Sequence, residues 1–195
     1  MKKISQISRI IIALSALLMI AAYFVPLWRI LMWAPQYPEW LGLQIWINNI
    51  TGDLNTINGL NHYIGMKHIK VEMFPEFKYL PFIVGFIIGF GILTALLNRR
   101  IMLFSYLGIL ILAGIGALVD FYLWGYDYGH NLDPTAAIRV PGMSYQPPLI
   151  GTKQLLNFTA FSGPDVGGWI FIASALMVIA VIIFEIIKNR KKVTI

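Results

Sequence analysis

The sequence predicts an all-α integral membrane protein, built as a four-transmembrane-helix bundle with a cap formed by two long periplasmic loops. The first observation behind this prediction is composition. Of 195 residues, 58% are hydrophobic and 12% are charged, and the mean hydropathy is +0.72. A soluble fold has too little interior for so much apolar surface, so part of it must face lipid. The second observation is four apolar segments, each close to the roughly 20 residues that a helix needs to cross a hydrocarbon core.

The chain is predicted to form a single membrane domain over residues 1–195. Its spans are bounded by charged residues, proline or glycine, and they lie at about 10–31, 79–97, 101–124 and 167–187. Basic residues ahead of the first span also fit a signal peptide. The length of the apolar run and the lack of a small-residue cleavage site favour a retained first helix.

The distribution of basic residues predicts which end of the bundle faces the cytoplasm. The two termini and the turn at 98–100 together carry nine basic residues against one acidic residue, whereas the opposite side carries six basic and eight acidic residues. An excess of Lys and Arg marks the cytoplasmic side. All six tryptophans fall at the opposite interface or in its loops, where an indole ring can be buried while its N–H meets water. Both termini are therefore predicted to be cytoplasmic.

The two loops on the other side, residues 32–78 and 125–166, make up nearly half of the chain. Loops this long usually carry function or a fold of their own. In the first loop, residues 41–47 alternate weakly as a half-buried strand would, although a helix also fits. A short helix is expected at about 54–64, with Gly65 just past its end.

In the second loop, Asp133 and Pro134 are typical of the start of a helix, and the proline-rich residues 141–148 are expected to run extended across a surface. A further short helix is expected at about 153–161. Both loops are rich in Tyr, Trp, Leu and Ile rather than in the polar residues of disordered linkers. We therefore expect them to pack together as one cap on the bundle.

Histidine and methionine residues in the loops form the first candidate site. All three histidines lie there, and the tightest cluster is His62, Met66 and His68, with His130 and Met143 further along on the same side. Imidazole and thioether groups together suit Cu(I). The alternative is that the methionines pack inside the cap and the histidines make ordinary hydrogen bonds. Spacing alone leaves both interpretations open.

A second candidate is Asp120, which lies about 28 Å along the third span and therefore near the outer edge of the hydrocarbon. An ionisable group at that depth usually has a partner, and Arg29, at the matching end of the first span, is the available one. A structural ion pair between them would place the first and third spans side by side and bring His130 over the first loop. The other interpretation is a proton or ion path. Such a path needs further polar residues deeper in the spans, and there are almost none.

Composition and motifs argue against several function classes. The chain has no cysteine, which excludes disulfides, thiolate metal sites and a cysteine nucleophile. No GxSxG, HExxH or phosphate-loop motif is present, so the chain is not expected to be an enzyme. The basic residues do not gather on one soluble face, so nucleic acid is not an expected partner. The apolar character of the spans argues against a pump, an autonomous channel or a transporter component.

The loop sequences also resemble a known family. The segments that carry the resemblance are WAPQYPE at 33–39, LNHYIGM at 60–66, VDFY at 119–122, WGYDYGHNLDP at 124–134, VPGM at 140–143 and YQPP at 145–148. They are similar to small four-span bacterial membrane proteins encoded in nitrous-oxide reductase gene clusters, mainly in Bacteroidota, beside copper-delivery and maturation factors. The similarity covers both loops and the ends of the spans.

The resemblance implies an accessory protein of the bacterial inner membrane that serves nitrous-oxide reduction in denitrification. Nitrous-oxide reductase is a periplasmic multicopper enzyme, so the resemblance favours Cu(I) as a cofactor. The implied ligands are His62, Met66, His68, His130 and Met143. Besides the lipid bilayer, the implied partner is the copper-enzyme maturation machinery. The alternative expectation is a structural anchor or scaffold subunit of a larger membrane complex, with no ligand of its own.

Overall fold

A computed structural model of the chain describes residues 3–155 and 157–190. These residues form a mixed α/β fold, in which four long helices make a bundle and a five-stranded antiparallel sheet with one short helix makes a cap at one end. The helices are Gln6–Leu18 (α1), Leu54–Ile64 (α2), Glu76–Leu97 (α3), Arg100–His130 (α4) and Val166–Arg190 (α5). The strands are Trp28–Trp33 (β1), Leu41–Ile45 (β2), Ile50–Gly52 (β3), Gly151–Leu155 (β4) and Phe158–Pro164 (β5). The all-α prediction is wrong, because the cap is built on a β-sheet.

The bundle consists of α1, α3, α4 and α5. Each of these helices is long and apolar enough to cross a membrane, once α1 is continued through the 3₁₀ turn at Met19–Tyr23. Helix α1 packs against α3 and α5, and α4 packs against the same two helices, so α1 and α4 lie diagonally opposite each other. Large apolar side chains such as Phe82 and Leu112 are exposed on the outside of the bundle, where they can meet lipid.

The first helix ends earlier than the predicted span 10–31, because the chain changes from helix to strand within that range. Pro26 has no amide hydrogen and cannot continue a helix, and β1 follows it as the central strand of the sheet. Strand β1 is a short, apolar and aromatic run, which hydropathy alone cannot distinguish from the end of a membrane helix. Trp28 and Arg29 therefore belong to the cap.

The sheet has the order β3-β2-β1-β5-β4, and all neighbouring strands are antiparallel. Trp28 of β1 lies opposite Ile45 of β2 and Pro164 of β5, so the strand that follows α1 pairs with the strand that precedes α5. The Trp28 indole Nε1 also donates to Ser162 Oγ at 2.8 Å. The helix predicted at 153–161 is wrong, because the described residues of that range lie in the paired strands β4 and β5 and in the turn before β5, and the Thr and Phe residues there favour strands.

Helix α2 packs on the sheet, and the end of α4 rises into the cap. The short helix predicted from the sequence is confirmed as Leu54–Ile64, and Gly65 ends it in the left-handed conformation, with φ of +80°. Helix α4 extends beyond the predicted third span to His130. No helix begins at Asp133. Its carboxylate instead accepts hydrogen bonds from the backbone N–H and the hydroxyl of Thr135, which closes a turn.

Candidate functional site on the cap

The C-terminal end of α2 positions two of the predicted ligands. His62 lies in the last turn of the helix, and Gly65 then reverses the chain. A Cβ atom at position 65 would lie 2.9 Å from the backbone nitrogen and oxygen of Asp133, so both the conformation and the close approach require glycine. The reversal brings the next residues back along α2.

Two asparagines of α2 fix this returning segment. Asn58 forms a pair of hydrogen bonds with the backbone of Ile69, at 2.7 Å from the N–H to Oδ1 and at 3.0 Å from Nδ2 to the carbonyl oxygen. The buried Asn61 donates to a second backbone carbonyl of the segment at 3.4 Å. These bonds hold the segment so that His68 lies beside His62.

His62 and His68 form an exposed pair. Their ring centroids lie 6.3 Å apart, with the ring planes inclined by 72°, and both side chains reach solvent. Two imidazoles that bind one metal ion from opposite sides, at about 2 Å per nitrogen, have centroids roughly 6 Å apart. The spacing of the pair is therefore compatible with a two-coordinate ion, an arrangement that Cu(I) accepts.

Charged groups adjoin the histidine pair. The Asp133 carboxylate, near His62, has a lowered pKa, chiefly because the Thr135 hydroxyl and backbone N–H donate to it, and to a smaller degree because of the charge of His62. Lys67 Nζ forms an ion pair with Asp127 Oδ2 at 2.6 Å, which links the returning segment to the end of α4. The pair thus lies at a junction of α2, α4 and the residues that follow α4.

Met66 packs in the core of the cap. Its side chain is half-buried and lines a cavity with apolar side chains such as Ile57 and Ile69. This is the environment that the packing interpretation predicts for a methionine. The structure therefore separates this thioether, which packs inside the cap, from the imidazoles of His62 and His68, which reach solvent.

The other two predicted ligands have partners of their own. His130 ends α4, and its ring stacks on Tyr126 of the same helix, with centroids 4.0 Å apart and planes 17° apart. Met143 is half-buried in a turn closed by a hydrogen bond from its N–H to the carbonyl oxygen of Val140. Within residues 3–155 and 157–190, no group of three or more His, Asp or Glu side chains is arranged to hold a metal ion.

The structure places Arg29 and Asp120 in different surroundings. The guanidinium of Arg29, on β1, lies 5.9 Å from the ring centroid of Phe161 on β5. Asp120, on α4, lies near the carboxyl group of Glu76 at the start of α3. No Arg29–Asp120 salt bridge occurs in the described part of the chain, where the ion pairs are Lys67–Asp127 and Arg100–Glu185. Arg29 lies on a strand of the cap and not at the end of a membrane helix, and its side chain packs against β5.

Asn58 and Asn61 were not predicted from the sequence as part of the site, although they position His68. Their spacing carries a usable signal, because residues three apart on a helix lie on the same face. The Lys67–Asp127 ion pair has no comparable signal, since the two residues are sixty positions apart.

The chain matches no protein-family model, and no curated protein is significantly similar to it.

Proposed function

We propose that this protein is a non-enzymatic, membrane-anchored accessory protein for the maturation or activity of a periplasmic copper enzyme, nitrous-oxide reductase, and that its cap binds Cu(I) between His62 and His68. The bundle is the anchor in the bacterial inner membrane, with both termini cytoplasmic and the cap in the periplasm. The exposed His62–His68 pair is the observation that carries the proposal.

An exposed two-histidine site suits transient binding. A partner can approach an ion held by His62 and His68 directly, because both side chains reach solvent. The proposed ligands, His62 and His68, are two of the five that the resemblance implies. Met66 packs in the cap core, and His130 stacks on Tyr126, so neither is needed for the two-coordinate arrangement.

The proposed orientation of the bundle in the membrane rests on the placement of charged residues and tryptophans. The end of the bundle opposite the cap carries the basic turn at 98–100, and excess Lys and Arg mark the cytoplasmic side. Five tryptophans belong to the cap and its junction with the bundle, and Trp169 lies in the first turn of α5 at the same end. Both patterns favour a periplasmic cap.

The test is an anaerobic Cu(I) titration of the full-length protein in detergent, in competition with a chromophoric Cu(I) chelator. We expect one Cu(I) per chain, with His62→Ala and His68→Ala each losing most of the affinity. His130→Ala is the matched control, because it removes an exposed cap histidine outside the pair and should leave the affinity unchanged. Less than one copper per chain, or equal binding by His62→Ala and the parent, contradicts the copper site.

The second candidate is a structural anchor or scaffold subunit of a larger membrane complex, without a ligand. The observation that favours it is the set of large aromatic side chains that the cap exposes, among them Trp33, Trp40 and Tyr63, since Trp and Tyr are enriched at protein interfaces. Affinity purification from native membranes separates the two functions. A stoichiometric partner that stays bound when both His62 and His68 are replaced by alanine favours the scaffold.

A further inference from the structure

The cap forms a half-open cavity of about 70 Å³ beneath its sheet. One wall is the face of the sheet that carries Ile30 and Leu43, a second is α2, and a third is the upper part of α4 with Trp124. Tyr145 and Pro147 line a further side. Most of the lining side chains are apolar, so the cavity offers a water molecule few hydrogen-bond partners.

A buried hydroxyl group without a partner belongs to this cavity. Tyr145, which lines it, is only 4% exposed, and its hydroxyl has no hydrogen-bond partner within the described residues. Buried polar groups are satisfied in nearly all native proteins, so this exception calls for an explanation.

A second donor lies on the same cavity. The indole Nε1 of Trp124 is buried as well, and it makes no hydrogen bond within the described part of the chain, although the Tyr128 hydroxyl lies near it. The other two polar side chains of the lining already donate to backbone carbonyls, the Asn61 amide to that of Lys67 and the Tyr128 hydroxyl to that of His68. Buried donors beside an otherwise apolar space complement a molecule that has an apolar body and an oxygen acceptor.

The position of the cavity along α4 indicates that such a molecule would come from the bilayer. Trp124 lies 24 residues beyond Arg100 on one continuous helix, which is about 36 Å at 1.5 Å per residue. If α4 starts at one membrane surface, Trp124 lies just past a hydrocarbon core of about 30 Å. The cavity is thus at the level where lipid carbonyl groups and the rings of lipid-soluble carriers reside.

We propose that the cap binds an apolar, carbonyl-bearing molecule from the bilayer, whose carbonyl oxygen accepts a hydrogen bond from the Tyr145 hydroxyl. The cavity is roughly half the volume of an engineered cavity that holds benzene. The occupant therefore inserts a ring edge or a short length of chain rather than a whole lipid. Acyl esters and quinones share this chemistry.

The test compares three probes on the full-length protein in detergent by isothermal titration: decane, methyl decanoate and a benzoquinone with a decyl side chain. Decane has the apolar body without an acceptor. We expect at least one carbonyl probe to bind about tenfold more tightly than decane. Binding of the ester alone identifies an acyl lipid as the source, and binding of the quinone alone identifies a lipid-soluble redox carrier.

Two tyrosine variants assign the effect to the cavity. Tyr145→Phe removes only a hydroxyl that has no partner, so the variant should fold as the parent does, and it should bind the carbonyl probe roughly tenfold more weakly. Tyr63→Phe is the matched control, because Tyr63 is 57% exposed on the outside of the cap, and it should bind as the parent does. Equal binding of decane and both carbonyl probes, or equal binding by Tyr145→Phe and the parent, overturns the proposal.

Discussion

The carboxylate of Glu185 in α5 lies 3.3 Å from Nη2 of Arg100 at the start of α4, and both side chains are largely buried between the helices. Glu185 also accepts hydrogen bonds from the Ser8 hydroxyl at 2.6 Å and from the Ser5 backbone N–H at 2.7 Å. One carboxylate therefore joins α1, α4 and α5 at the end of the bundle opposite the cap.

We predict that Glu185→Ala lowers the free energy of unfolding by about 3–5 kcal/mol, because it leaves the charge of Arg100 buried and unpaired. Replacing both residues with methionine should cost less than Glu185→Ala alone, since no buried charge is then left. Reversible unfolding of the detergent-solubilised variants measures both values. A double variant that is less stable than Glu185→Ala contradicts this explanation.

Arg29 and Asp120 provide the contrasting pair. Because Arg29 lies over Phe161 and Asp120 lies beside Glu76, we predict that the effects of Arg29→Ala and Asp120→Ala on stability are additive, within about 0.5 kcal/mol. A double-mutant cycle measures the coupling. A coupling energy above 1 kcal/mol would show that the two side chains interact after all.

We predict that the chain reversal that places His68 beside His62 requires glycine at position 65. Gly65→Ala combines a left-handed backbone with a contact of 2.9 Å to the Asp133 backbone, so it should cost about 1–3 kcal/mol and weaken Cu(I) binding. Gly59→Ala, in the middle of the same helix, is the control. Nothing lies within 4 Å of a Cβ there, and it should stabilise the protein by up to about 1 kcal/mol. Thermal unfolding and the Cu(I) titration of both variants test the contrast.

Gly129 lets the 145–147 segment approach α4. A Cβ at Gly129 would lie 2.3 Å from the backbone nitrogen of Gln146, and the Gly129 carbonyl accepts a hydrogen bond from the Tyr145 N–H at 2.9 Å. Gly129→Ala should therefore displace this segment and cost about 2 kcal/mol, whereas Gly116→Ala on the same helix has open space around it. Hydrogen exchange at Tyr145 should rise in the first variant and stay unchanged in the second.

The ion pair between Lys67 and Asp127 should contribute little to stability, because both side chains are about 40% exposed. Lys67→Ala is expected to cost about 0.2–1 kcal/mol at low salt, with the cost falling as ionic strength rises. Unfolding measured at two salt concentrations checks this. A cost that is large and independent of salt would point to packing by the lysine stem instead.

The helices could be predicted from the sequence because their signals are local. Apolar runs of about 20 residues mark the bundle, and helical spacing with a terminal Gly65 marks α2. The sheet could not be predicted in this way. Its central strand, β1, continues the apolar run of the first predicted span, and the partner strand β5 lies more than a hundred residues further along the chain. Hydropathy reports burial without reporting which secondary structure is buried.

In the candidate site, too, local contacts could be predicted from the sequence and long-range contacts could not. His62 and His68 are six residues apart, and a single chain reversal was enough to bring them together. His130 depended on where α4 ends, and the helix continues through that residue instead of stopping near 124. Arg29 depended on a helix that is in fact a strand. Both predictions depended on long-range structure that local patterns do not encode.

The central place of β1 in the sheet also sets the order in which the molecule can be assembled during synthesis. Strands β2 and β3 emerge soon after β1 and can pair at once, but the other edge of β1 waits for β5, whose first residue follows Trp33 by 125 positions. Two further long apolar helices, α3 and α4, must be synthesised in that interval. An open strand edge is a site for mispairing with other chains, so a nascent chain stalled before residue 158 exposes an aggregation-prone intermediate. Cap closure is therefore one of the last steps of biogenesis, and it couples completion of the sheet to the arrival of the final helix.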